Sequence, residues 1–104
     1  MRRHMSSTPP PPRPLRVATF NLLDFFLPKP HHAARFDQKL AWTADTIARL
    51  DADAVGLQEV GELEALERLV FKLNSRVDDP SKHYASVPGS VDKRGIRCAL
   101  LTRL

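Results

Sequence analysis

Apolar and polar positions change rhythm several times along the chain, and each change marks an element. "LRVATFN" (15–21) is short, rich in apolar residues and carries Val17, Thr19 and Phe20, which predicts a strand. In "LLDFFLPKPHH" the regularity is lost, and Pro28 and Pro30 make residues 28–33 a loop. Phe36, Leu40, Ala44, Ile47 and Leu50 then recur at spacings of three and four. That period predicts a helix over about 35–50, with Asp37, Lys39, Asp45 and Arg49 on the opposite side. "ADAVGLQEV" (52–60) predicts a second strand. Leu63, Leu66, Leu69, Val70 and Leu73 share one side of a second helix at about 62–74. Glu62 and Glu64 in its first turn and Lys72 in its last complement the helix dipole. "SRVDDPSKH" is a polar connection, "YASV" a short strand, "PGSVDKRG" a turn-rich link and "IRCALLTRL" (96–104) a further strand.

The order β-α-β-α-β-β predicts a mixed α/β fold with helices covering one face of a sheet. The final strand candidate runs to Leu104 without a cap or turn. A strand needs a neighbour on each side unless it is a protected edge, so the sheet is expected to be incomplete.

Length and composition refine this picture. A chain of 104 residues supports one small domain with a real core. No apolar run approaches the roughly 18 residues of a membrane span. Ser, Thr and prolines follow the first arginines where a signal peptide would place its apolar segment, so a soluble, cytoplasmic chain is expected. Residues 1–14 are expected to form a disordered Pro/Arg-rich tail ahead of a domain at 15–104. Its "PPPPRP" suits an SH3-type groove or, more simply, a solvated leader. Cys98 has no internal partner and lies in an apolar stretch, which predicts an inert buried thiol. The net charge of +4 resides in Arg2, Arg3, Arg13 and Arg16, within sixteen residues that contain no acid. From Val17 onward twelve basic and twelve acidic side chains balance, so basicity alone does not indicate a nucleic-acid footprint.

The chemistry centres on two polar residues at strand ends. Asn21 closes the first strand, and Glu59 lies near the end of the second. Both strands lead into helical connections and are expected to run parallel and adjacent, bringing the two groups to one edge of the sheet. Ligand sites of open α/β sheets gather there. A carboxylate at that edge suits Mg²⁺, which takes few protein oxygens and keeps several waters. A neighbouring amide can orient it or bond a phosphate oxygen. The alternative is structural, with Asn21 making a turn and Glu59 capping the following helix. His31, His32 and His83 have no spacing that suggests a metal site and are expected at the surface. Arg94 precedes the last strand, where it can approach a phosphate or stay solvated.

"LRVATFNLLDFF", "DADAVGLQEV" and "DKRGIRCALLTRL" stand in the order of the first three blocks of the endonuclease/exonuclease/phosphatase superfamily, which the chain resembles over about residues 15–104. The Gln-Glu block is the most specific part. The resemblance implies the N-terminal half of a DNase I-like four-layer α/β sandwich and a metal-dependent phosphoester hydrolase, foremost a nuclease. It implies Mg²⁺ (or Mn²⁺) as cofactor, Glu59 as metal ligand and Asn21 as its partner at the metal and phosphate. Some relatives carry an acid near the position of Asp24 that assists the metal, although the offset here is imperfect.

The family's His-Asp pair, further Asp and phosphate-holding Asn belong to later blocks. After Gly95 this chain has no His, Asp or Asn. The expectation is therefore an N-terminal portion, inactive alone, that meets a nucleic acid or other phosphoester once completed. Two alternatives stand beside it. One is a non-catalytic half-domain that binds a partner through its open sheet face or proline tail. The other is a phosphomonoesterase acting on a small phosphorylated substrate.

Overall fold

The computed structural model describes residues 13–104. The expected tail therefore lies outside the described residues up to residue 12. The elements follow the order β1 (Val17–Phe25), a 3-10 turn (Pro30–His32), α1 (Ala33–Leu50), β2 (Ala54–Val60), α2 (Leu63–Asn74), a 3-10 turn (Pro80–Lys82), β3 (Ala85–Pro88) and β4 (Arg97–Thr102). The result is a mixed α/β architecture. Its four strands form one sheet in the order β1-β2-β4-β3. β1 and β2 are parallel, as their helical crossover requires, while β4 runs antiparallel to both β2 and β3.

Both helices form where the apolar period placed them, because that period gives each a stripe to bury. Phe36, Ala44 and Ile47 of α1 and Leu66, Leu69 and Leu73 of α2 enter the core. They meet Val55 and Leu57 of β2 and Ala99 and Leu101 of β4 on one face of the sheet. The alternate residues Val17, Ala54, Gly56, Cys98 and Leu100 belong to the other face, against which no helix packs among the described residues. Val17 is 70% exposed and Leu100 39%. Cys98 falls on this open face and is exposed, which corrects the expectation of a buried thiol. Strand alternation, not local hydrophobicity, decides its side. Among the described residues no helix is long and apolar enough to cross a membrane.

A polar clamp fixes the opposite end of the sheet from Asn21 and Glu59. Asp53, just before β2, is 1% exposed. It accepts two hydrogen bonds from the Arg13 guanidinium (3.1 and 2.7 Å) and one from the Arg16 backbone N–H (3.0 Å). Hydrogen bonding by Arg13, then by the Arg16 backbone, holds the Asp53 carboxyl at about 2. Arg13, assigned by sequence to the tail, thus anchors the start of β1. Tyr84 donates its hydroxyl to the Ala52 carbonyl at 2.6 Å, and Asn74 pairs with both backbone groups of Tyr84. These bonds tie α2 and the approach to β3 onto the lead into β2.

Candidate functional site

At their carboxyl ends β1 and β2 both depart from regular pairing, at the same level. The register between them shifts between Asn21 and Phe25 on β1, and that between β2 and β4 shifts between Leu57 and Val60. Leu23 (φ 54°), Asp24 (φ 57°) and Glu59 (φ 60°) occupy the left-handed region. For a residue with a Cβ this region costs about 1–2 kcal/mol.

The local geometry redirects Glu59. Leu57 is buried beneath the helices, so strict alternation would send residue 59 to the same side. The bulge inserts an extra residue, Val60 takes the buried position, and the Glu59 carboxylate meets Asn21. Asn21 Nδ2 donates to Glu59 Oε2 at 2.5 Å, while Asn21 Oδ1 accepts the Leu23 N–H at 2.8 Å. Both ends of the amide are therefore engaged. Glu59 Oε1 has no hydrogen-bond partner among the described residues.

Two further contacts hold this edge. Lys39 Nζ donates to the Leu23 carbonyl at 2.6 Å, pinning the first left-handed residue from α1. Gly61, immediately after β2, donates its N–H to Phe25 at 2.9 Å and lies beneath the Phe26 ring. A Cβ at position 61 would stand 2.4 Å from that ring, so only glycine allows the approach.

The structure brings Asn21 and Glu59 together in direct contact across parallel neighbours, but Asn21 does not close β1: it stands mid-strand where the regular pairing breaks, and its Oδ1 makes a turn contact with the Leu23 N–H. It does not bury Glu59, which is half-exposed. The feature that calls for explanation is the strained backbone that aims it. Glu59 does not cap α2 either, since the N-cap is Glu62, without a side-chain capping bond. The Glu62 carboxylate instead accepts the Leu27 N–H at 2.9 Å. Asp24 is exposed within the irregular segment of β1 and bonds neither Asn21 nor Glu59.

Arg94 comes to the same edge through the sheet register. Arg97 of β4 pairs with Val60 and donates to the Gly61 carbonyl at 3.0 Å, which sets the 92–96 turn beside the end of β2. Within that turn Asp92 accepts from Arg94 Nε and Nη2 at 3.1 and 2.8 Å. The Arg94 pKa is raised, chiefly by the hydrogen bond to Asp92, with smaller attractions from Asp24 and Glu59. Of the histidines, His31 and His32 are exposed as expected. His83 is half-buried instead, its Nε2 2.7 Å from the Val77 carbonyl oxygen.

Among the described residues no group of three or more His, Cys, Asp and Glu side chains could hold a metal ion. A Mg²⁺ ion does not need one, because it binds through one or two carboxylates plus waters and substrate phosphate. Half-exposed Glu59, with one oxygen fixed by Asn21 and the other unpartnered, fits that donor requirement. Sequence reasoning missed the bulges, Gly61 and the contribution of Lys39. Only Gly61, a glycine two residues after Glu59, carried a readable signal. Comparisons with models of protein families, with curated proteins and with solved structures find no match to this chain.

Proposed function

We propose that the chain supplies the metal-binding part of a Mg²⁺- or Mn²⁺-dependent phosphoester hydrolase of the endonuclease/exonuclease/phosphatase type, acting on phosphodiesters as a nuclease. The single observation that carries this reading is the Asn21–Glu59 pair, set where two adjacent parallel strands leave regular pairing, with Glu59 strained to reach it. Backbone outliers of this kind cluster at functional sites.

In this reading Glu59 holds the cation and Asn21 fixes the carboxylate's orientation. The amide oxygen of Asn21, with one lone pair given to Leu23, keeps a second for metal or phosphate. Bound there, the cation would offset charge on the phosphate and the leaving oxygen. Asp24 adds negative charge at the same edge. The finer fold proposal is a DNase I-like four-layer sandwich, in which a second sheet covers the open face of β1, β2 and β4 and brings the base that activates water.

The second reading, a non-catalytic module binding a partner through that face, draws on the exposure of Val17, Val87 and Leu100. A titration of Mn²⁺ into the full chain, followed by amide NMR, separates the two. The metal reading predicts early paramagnetic broadening at residues 21–24 and 58–60, abolished by Glu59→Gln. Broadening elsewhere, or the same broadening in the variant, refutes it.

A further inference from the structure

The sheet order β1-β2-β4-β3 leaves one side of β1 without a neighbouring strand among the described residues. We infer that this edge pairs with the same edge of a second copy of the chain, antiparallel about Thr19, to give a closed dimer with one continuous sheet. The inference does not depend on the metal reading above.

Backbone geometry decides which groups are free. The N–H groups of Asp53 and Ala54 donate to the Arg16 carbonyl at 2.7 and 3.3 Å, so that carbonyl points toward β2. Successive residues of a strand turn their backbone groups to opposite sides, so Val17, Thr19 and Asn21 direct theirs outward. Among the described residues these outward groups have no hydrogen-bond partner. Pairing about Thr19 sets Val17 against the partner's Asn21 and Thr19 against its own copy, which satisfies all of them. Native sheets blunt an exposed edge with lysine, proline, a bulge or a very short strand. β3, at the other edge, does so, being four residues long and ending in Pro88. β1 does not: from Val17 to Asn21 its register is regular and its side chains are uncharged. One adhesive edge per chain is used up when two copies meet, so the assembly closes instead of growing into a filament.

Charge and packing identify the occupant as a second copy. The uncharged run 17–23 is flanked by Arg16 and Asp24. An antiparallel copy brings the Arg16 end of each strand to the Asp24 end of the other, so opposite charges meet at both margins. A parallel copy in register would set Arg16 beside Arg16, and like charges directly opposite destabilise a strand pair. On the helix side of the sheet the Trp42 ring packs on Phe20, 6.0 Å between centroids, yet Trp42 remains 61% exposed. In the dimer Phe20 faces the partner's Ala18, whose small side chain leaves room for both rings. An exposed tryptophan beside an unpaired apolar edge is the kind of residue that anchors protein interfaces. The pairing also fastens the Asn21 backbone, next to the contact between Asn21 and Glu59.

Size-exclusion chromatography with light scattering, on the full chain in EDTA over a series of concentrations, tests this. The mass should rise from that of one chain to that of two and no further. Trp42 is the chain's single tryptophan, and its emission should move to the blue along with the mass. Thr19 is exposed, so Thr19→Lys and Thr19→Glu should each keep the parent's far-ultraviolet circular dichroism. Each sets like charges against one another across the dyad and should weaken the dimer at least about tenfold. Mixing the two variants should restore a dimer, because lysine then faces glutamate. Val87→Lys, on the other edge strand, should leave dimerisation unchanged. A single-chain mass at every concentration overturns the inference, as does growth beyond two chains. So does a dimer that Thr19→Lys leaves intact or Val87→Lys breaks, one that forms with Trp42 emission unmoved, or failure of the mixed variants to recover it.

Discussion

Substituting Glu59 by glycine and by alanine tests the central strain directly. At a regular strand position glycine is less stable than alanine by roughly 0.5–1 kcal/mol, because it loses more backbone entropy on folding. At residue 59 the order should reverse. Glu59 has φ 60°, a conformation that costs a Cβ-bearing residue about 1–2 kcal/mol and glycine almost nothing. Both substitutions remove the same hydrogen bond from Asn21, so that loss cancels in the comparison. Subtracting the entropy difference from the strain, midpoint from midpoint, leaves Glu59→Gly more stable than Glu59→Ala by roughly 0.75 kcal/mol, within a span of about 0–1.5 kcal/mol. That corresponds to several degrees in melting temperature for a domain of this size. Urea unfolding of the full chain in EDTA, read by far-ultraviolet circular dichroism with equal m-values, measures the difference. Glu59→Ala matching or exceeding Glu59→Gly would mean that residue 59 is not held in the left-handed region, and the account of how the carboxylate is aimed would fail.

Other substitutions test the supports of the site. Gly61→Ala should destabilise the chain by about 1–3 kcal/mol, because the new Cβ meets the Phe26 ring; amide shifts at residues 24–27 should accompany the loss, and a neutral effect would contradict the close approach. Tyr84→Phe leaves the Ala52 carbonyl without its donor and should cost about 1–2 kcal/mol in urea unfolding, whereas a gain in stability would refute the bond. Acid should unfold the parent chain more steeply than Asp53→Asn. The folded Asp53 pKa, about 2, lies below its unfolded value near 3.9, so its contribution is complete above about pH 4 and lost as pH falls through about 2. Urea midpoints at about pH 7, 4 and 2 measure this, and parallel curves for parent and variant would remove Asp53 from the acid transition.

The helices and strands were legible because each buries one regular stripe. Phe36, Ala44 and Ile47, or Leu66, Leu69 and Leu73, announce themselves by spacing alone. The parallel pairing of β1 with β2 followed from the helix between them, and with it the meeting of Asn21 and Glu59. Alternation could not foresee its own interruption. Nothing in "LLDF" or "LQEV" marks the residues that adopt positive φ, since neither stretch contains glycine at those positions. The side of the sheet taken by Cys98 was equally hidden, because an apolar neighbourhood in sequence does not say which residues point inward. Contacts between distant segments were beyond reach for a different reason. Arg13 finds Asp53 across 40 positions and Lys39 finds Leu23 across 16, and each pairing exists only once the sheet and α1 are assembled.

The most direct test of the metal site is the equilibrium affinity of the full chain for Mn²⁺, read from the electron paramagnetic resonance of the free ion. The account predicts one site per chain, weakened at least about tenfold by Glu59→Gln and by a smaller factor by Asn21→Ala, because outer partners of a metal ligand carry part of its affinity. Equal affinity in the parent chain and Glu59→Gln would contradict it.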